Sequence, residues 1–186
     1  MSSLRDRVED VRRRVERAAE RAHRLPSEVR IVAVSKTVAP SVIAEAYALG
    51  LREFGENRVQ EFRWKRQVLD SAGLVPEARW HLVGHLQSNK ARLAVGLFDI
   101  IQSVDSVRLA RLLDRCAGEA GKRLPILLQV DYTGEPQRHG FDPEELEAAA
   151  GDLAGLPNLD VQGLMTIAPL GLGRDELRAV FRRLRE

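Results

Sequence analysis

Apolar positions along this chain switch repeatedly between helical and extended spacing. Leu4, Val8, Val11, Val15, Ala18 and Ala22 fall on one stripe among Arg and Glu. That stripe predicts an amphipathic helix ending near Arg24, before Leu25-Pro26. A short β-branched run follows from Val29 to Ser35, then a helical pattern from Pro40 to Leu49 with Gly50 as its stop. The alternation then continues with strands at 52–54, 79–83, 98–103, 124–130 and 159–166. Helices are predicted between and after them at 58–69, 89–95, 107–120, 143–153 and 174–185.

Strands alternating with helices imply parallel βαβ units with right-handed crossovers. The apolar run Ile126-Leu127-Leu128 suits a sheet covered on both faces. Two architectures compete, an open doubly wound sheet and a closed (β/α)8 barrel. Ser35-Lys36-Thr37 stands after the first strand, where a dinucleotide-binding sheet would carry a Gly-rich turn. Lys36, Asn57, His85, Asp105, Asp131 and Thr166 each follow a strand, as in a barrel whose site gathers at the carboxyl ends. Only six such units are found, against the eight of a complete barrel.

Composition narrows the class. The 186 residues, 44% hydrophobic, are read as one domain over 1–186 with a sizeable core. Arg is the dominant base, yet it is interleaved with Asp and Glu on helical segments and the formal charge is only +2. That is a solvated face rather than a nucleic-acid surface, and aromatics, at 5%, supply no RNA-stacking pattern. The single cysteine, Cys116, follows Leu109, Leu112 and Leu113 at helical spacing, so a packed core thiol is expected. The N-terminus is charged from Arg5 onward, and no apolar run approaches the ~20 residues of a membrane span. A soluble cytoplasmic protein, without a membrane partner, is the expectation.

Several positions carry candidate chemistry. In the first strand Val32, Val34 and Lys36 share one face, with Ile31, Ala33 and Ser35 on the other. If the first set points inward, the Lys36 amine rises into the mouth of the barrel. Low-dielectric walls favour a neutral amine, the form that attacks an aldehyde, so such a site suits imine chemistry. By spacing alone, a lysine that merely ends a strand and faces water fits better. The Asn57 amide is either a donor to a bound group or a cap for the next helix. His81 and Val83 share a face of the third strand, with His85 just beyond. The His81/His85 spacing converges on a helix but not on a strand, so no metal site is expected from it. Met165 has the parity of Gly163 on the sixth strand, and either lies against a flat ring or fills the core.

Four blocks together are far more specific than any one. Ala33-Val34-Ser35-Lys36-Thr37 is followed by Phe54-Gly55-Glu56-Asn57-Arg58-Val59-Gln60-Glu61. Next come Trp80-His81-Leu82-Val83-Gly84-His85-Leu86-Gln87-Ser88-Asn89-Lys90 and Gly163-Leu164-Met165-Thr166-Ile167. In this order they resemble the YggS/PROSC family of pyridoxal phosphate homeostasis proteins, from the first helix to the end of the chain. The resemblance implies a (β/α)8 TIM-barrel type of the alanine-racemase (fold type III) class, with an N-terminal amphipathic helix. It also implies pyridoxal 5'-phosphate as cofactor, held as a Schiff base on Lys36, with Val34, Asn57, His81 and Met165 around it. His81, rather than His85, is expected near the cofactor. The implied role is non-catalytic, in intracellular cofactor homeostasis, with cofactor-dependent enzymes as recipients. A fold-type III amino-acid racemase or decarboxylase is the alternative.

Two departures qualify the match. In the turn Gly134-Glu135-Pro136-Gln137-Arg138-His139-Gly140, many relatives carry a lysine where His139 stands. The family also continues with a Ser-Met-Gly-Met-Ser type turn and a Val-Arg-Ile-Gly type strand end, which bind the cofactor's phosphate and do not occur here. The chain is therefore expected to be truncated at its C-terminal side relative to the family.

Overall fold

The structure is a computed structural model that describes residues 2–133 and 139–186, so residues 134–138 of the turn above lie outside it. The chain divides into two compact units: residues 1–55 with 60–79, and residues 56–59 with 80–186. The chain is α/β, and among the described residues six strands alternate with helices.

The first unit begins with α1 (Leu4–Arg21), whose entry is a reciprocal cap: Ser3 Oγ accepts from Asp6 N, and Asp6 accepts from Ser3 N. After a short 3-10 turn at Pro26–Glu28 comes β1 (Ala33–Val34), then α2 (Pro40–Ala48) and β2 (Glu53–Glu56). The expected strand at Val29–Ser35 shrinks to two residues. Only Ala33 and Val34 find ladder partners, Phe54 and Gly55, and the extended backbone before them has none within this unit. α3 (Val59–Ser71) buries Phe62 and Leu69, which pack in the same unit as the fully buried Ile43 and Phe54. Val34 is half exposed and, with Val8, Val11, Ile31 and Val42, lines an apolar groove of about 490 Å³.

The second unit holds nearly all of β3 (Arg79–Leu82), then α4 (Ala91–Leu97) behind a 3-10 turn at Ser88–Lys90, and β4 (Ile100–Val104). It continues with α5 (Val107–Glu119), β5 (Leu124–Gln129), α6 (Pro143–Ala154), β6 (Leu159–Met165) and α7 (Arg174–Arg185). β3 to β6 pair in chain order, all parallel. β4 and β5 therefore have a neighbour on each side, and Ile100, Ile101, Leu124 and Ile126 are almost wholly buried. Covered on both faces and paired on both edges, these strands tolerate a nearly continuous apolar sequence. α5 lays Leu109, Leu113 and Cys116 into the core, so the lone thiol is a packing group as its spacing predicts.

Candidate functional site

In the first unit, Lys36 immediately follows β1 and is exposed, so the apolar walls suggested by the strand alternation do not come from this unit. Its neighbours are tightly held. The Ser35 N–H donates to the Gly55 carbonyl at 2.8 Å, continuing the β1–β2 ladder by one residue. The Ser35 carbonyl accepts from Lys65 Nζ at 2.7 Å. Thr37, on the other side of Lys36, donates its N–H to Glu61 Oε1 at 2.8 Å. Glu61 in turn pairs with Lys65 at 2.7 Å. Thr37 adopts a left-handed φ of 60°, and its hydroxyl donates to the Lys36 carbonyl at 2.6 Å.

These contacts explain an oddity of α3. Lys65 sits between Phe62 and Leu69 on the buried stripe with its side chain only 3% exposed, a place where a charge must be paired. The Lys65–Glu61 pair thus grips the backbone on both sides of Lys36 and fixes where its side chain departs. Sequence reasoning missed Lys65. Its signal was an i,i+4 Glu–Lys pair in which the lysine falls on an apolar stripe instead of the wet face.

In the second unit the carboxyl ends of the strands surround a cavity of about 430 Å³ lined by Asn57, Gly84, His85, Gln129, Asp131 and His139. Asn57 arrives there because Gly84 makes room: a Cβ at Gly84 would stand 2.7 Å from Asn57 Cα. The Gly84 carbonyl also accepts from Ser103 Oγ at 2.7 Å, and the Val83 N–H donates to the Glu56 carbonyl at 2.9 Å. The turn that carries His85 is therefore held by its neighbours on both sides.

His81 does not line this cavity. It lies on β3, 2% exposed, with Gln102 Nε2 2.7 Å from its Nδ1. An amide N–H donated to Nδ1 leaves the imidazole proton on Nε2. Met165 ends β6 half-buried, and its carbonyl accepts from the Val130 N–H at 2.8 Å. Met165 is likewise outside the cavity lining. The residues expected from sequence are thus distributed: Val34 and Lys36 belong to the first unit, and Asn57, His81 and Met165 to the second.

His81 and His85 engage different partners, His85 reaching Asp105 Oδ2 with its Nδ1 at 2.9 Å. The exposed cationic edges are dispersed. Arg13, Arg66 and Arg178 each pair with an acid on their own helix, as the interleaved sequence suggests.

The model of the alanine racemase N-terminal domain matches residues 7–186. A pyridoxal phosphate homeostasis protein of Aquifex aeolicus is 38% identical over 181 residues, covering 97% of this chain and 78% of the relative. The protein of the same name from Pseudomonas aeruginosa is 38% identical over 186 residues, covering 100% of this chain and 79% of the relative. The structure of PipY from Synechococcus elongatus, described with PLP bound, is 47% identical with a TM-score of 0.81. That match covers 92% of this chain and 78% of PipY. An alanine racemase of Bartonella henselae shares the fold alone, at 16% identity and a TM-score of 0.67 over 93% of this chain and 47% of the racemase.

Proposed function

From the premise that this chain belongs to the alanine racemase N-terminal domain family, among the pyridoxal phosphate homeostasis proteins, we propose that it binds pyridoxal 5'-phosphate covalently through Lys36 and serves intracellular homeostasis of that cofactor. The observation that carries this reading is the Lys65–Glu61 grip: a buried lysine and a half-buried glutamate hold the backbone either side of one exposed amine. The donor set fits the cofactor, since a reachable primary amine is what its aldehyde requires. When bound, the cofactor supplies an electron sink for amines attached to it. The chain's own contribution is to hold Lys36 at a strand end. Val34, one ladder step before it, is the proposed neighbour of the ring in this unit, and Asn57, His81 and Met165 stand as the second unit's candidates.

A carrier is favoured over a racemase or decarboxylase by the placement of the tyrosines. Racemisation needs proton donors on both faces of the ring, and tyrosine is a natural second acid. Tyr47 lies in α2 with the Arg52 guanidinium 3.9 Å over its ring. Tyr132 donates its hydroxyl to the Arg183 carbonyl at 3.2 Å. The Tyr132 hydroxyl is thus engaged within its own unit. On this reading the recipients are enzymes that require the cofactor. No helix of the described residues is long and apolar enough to cross a membrane.

The test is to add the cofactor to purified protein, reduce with borohydride and map the adduct by mass spectrometry. Label on the peptide containing Lys36, lost in Lys36→Ala, is the expected outcome. Label on another lysine, or cofactor-dependent Cα–H exchange of an amino acid with many turnovers, would overturn the assignment or the carrier role respectively.

A further inference from the structure

The cluster of His85, Asp105 and His139 takes no part in the reading above, and its donor set is that of a transition-metal site. His85 follows β3, Asp105 follows β4, and His139 lies in the connection after β5, so three neighbouring strand ends converge. One ligand atom from each lies within 4.8 Å of the others. His85 Nδ1 is 2.9 Å and His139 Nδ1 3.9 Å from the same oxygen, Asp105 Oδ2. The two imidazoles stack at 3.5 Å between centroids and 10° between planes, so one ring must turn out of the stack before both in-plane lone pairs can meet at one ion.

We propose that His85, Asp105 and His139 bind a zinc ion. Two imidazoles and one carboxylate are a zinc donor set, and ligand atoms ~2.0–2.1 Å from a tetrahedral ion stand roughly 3.3 Å apart. The observed separations of 2.9 and 3.9 Å straddle that spacing, and rotation of one imidazole out of the stack completes the site. With three protein ligands, the fourth position opens on the cavity of about 430 Å³, where water can occupy it.

The supports of the site are already in place. Asp105 is only 11% exposed, and its other oxygen accepts from Ser106 Oγ at 3.2 Å, which leaves Oδ2 directed at the histidines. His85 rides on the turn fixed by Ser103 and Glu56. The His139 carbonyl accepts from Gln129 Nε2 at 2.6 Å, and the Phe141 N–H donates to the Gln129 carbonyl at 2.7 Å. Gly140 takes a φ of +147°, and a Cβ there would stand 2.7 Å from Asp131 N, so glycine lets this connection close over the end of β5. Along the chain the ligands are far apart, which is why the His81/His85 spacing said nothing of them.

The experiment uses the tag-free chain, stripped with a chelator, and zinc chloride alone as the probe. Calorimetric titration should show one equivalent bound in the micromolar range. His85→Gln, His139→Gln and Asp105→Asn should each weaken uptake by roughly tenfold or more, as loss of a ligand does. On the unaltered chain, zinc should protect His85 and His139 from diethyl pyrocarbonate while exposed His23 reacts at its usual rate. No uptake, uptake unchanged in any of the three variants, or no selective protection overturns the site. Labelling of Lys36 is scored separately, so failure here leaves the cofactor reading standing and the reverse holds too.

Discussion

β1 and β5 solve the same problem by different means. β5 runs six residues between two partners, and its buried faces and backbone ladder hold it. β1 is two residues long with one partner in its unit, and its exposed Val34 contributes little burial. Position at β5 comes from the sheet. Position at β1, where the proposed cofactor lysine sits, comes from side chains of α3 reaching the backbone. A strand end that must present a reachable amine cannot also be buried on all sides, and the Lys65–Glu61 pair substitutes for the missing ladder.

The largest effect that would sharpen this contrast is at β5. Ile126→Ala should destabilise by about 2–5 kcal/mol through lost burial and a cavity, whereas Val34→Ala should cost under about 1 kcal/mol. Denaturant melts of both variants check it, and equal losses would break the comparison. Next is Lys65→Met, which removes the ammonium from Glu61 and from the Ser35 carbonyl. Breaking a buried pair costs about 3–5 kcal/mol; because Glu61 is 26% exposed, about 2–3 kcal/mol is expected here. The same variant should label Lys36 more slowly with cofactor and borohydride, a readout that a change in overall stability alone would not move under strongly native conditions.

The smallest effects concern pH, and they differ in sign between the units. Asp6 in the first unit is held below its ordinary 3.8 by the Ser3 backbone N–H and then the Ser3 side chain. Its contribution is present above the unfolded value and is lost as pH falls through the folded one. Asp6→Asn and the parent should therefore converge in stability on acidification. Lys122 in the second unit is lowered from 10.5 by burial, with Asp99 opposing. The folded state releases that proton first, so stability rises with pH between the depressed value and 10.5. Lys122→Met should remove that rise, as melts across the alkaline range would show.

Element order and type were legible because periodicity reports burial, and α5, with its Leu109–Leu113–Cys116 stripe, is the clearest case. β1 was misjudged in length because β-branched residues signal an extended chain, whereas a ladder also needs partners, which only tertiary structure supplies. The family motifs included Lys36 and Glu61, yet not the lysine that links Glu61 to the backbone beside Lys36: Lys65 reads as one more surface base until Phe62 and Leu69 place it on the inner stripe. Asp105 and His139 were visible as polar residues after strands, but their meeting with His85 depends on strand order in space.

Thr37 has an evolutionary consequence. A β-branched residue at φ 60° is strained, and Asn or Gly would adopt that conformation at lower cost. Selection for heat resistance alone would therefore find residue 37 an easy gain. It would then discard the threonine hydroxyl that clasps the Lys36 carbonyl, loosening the amine as the fold hardens. Retaining threonine there is a compromise between endurance and aim.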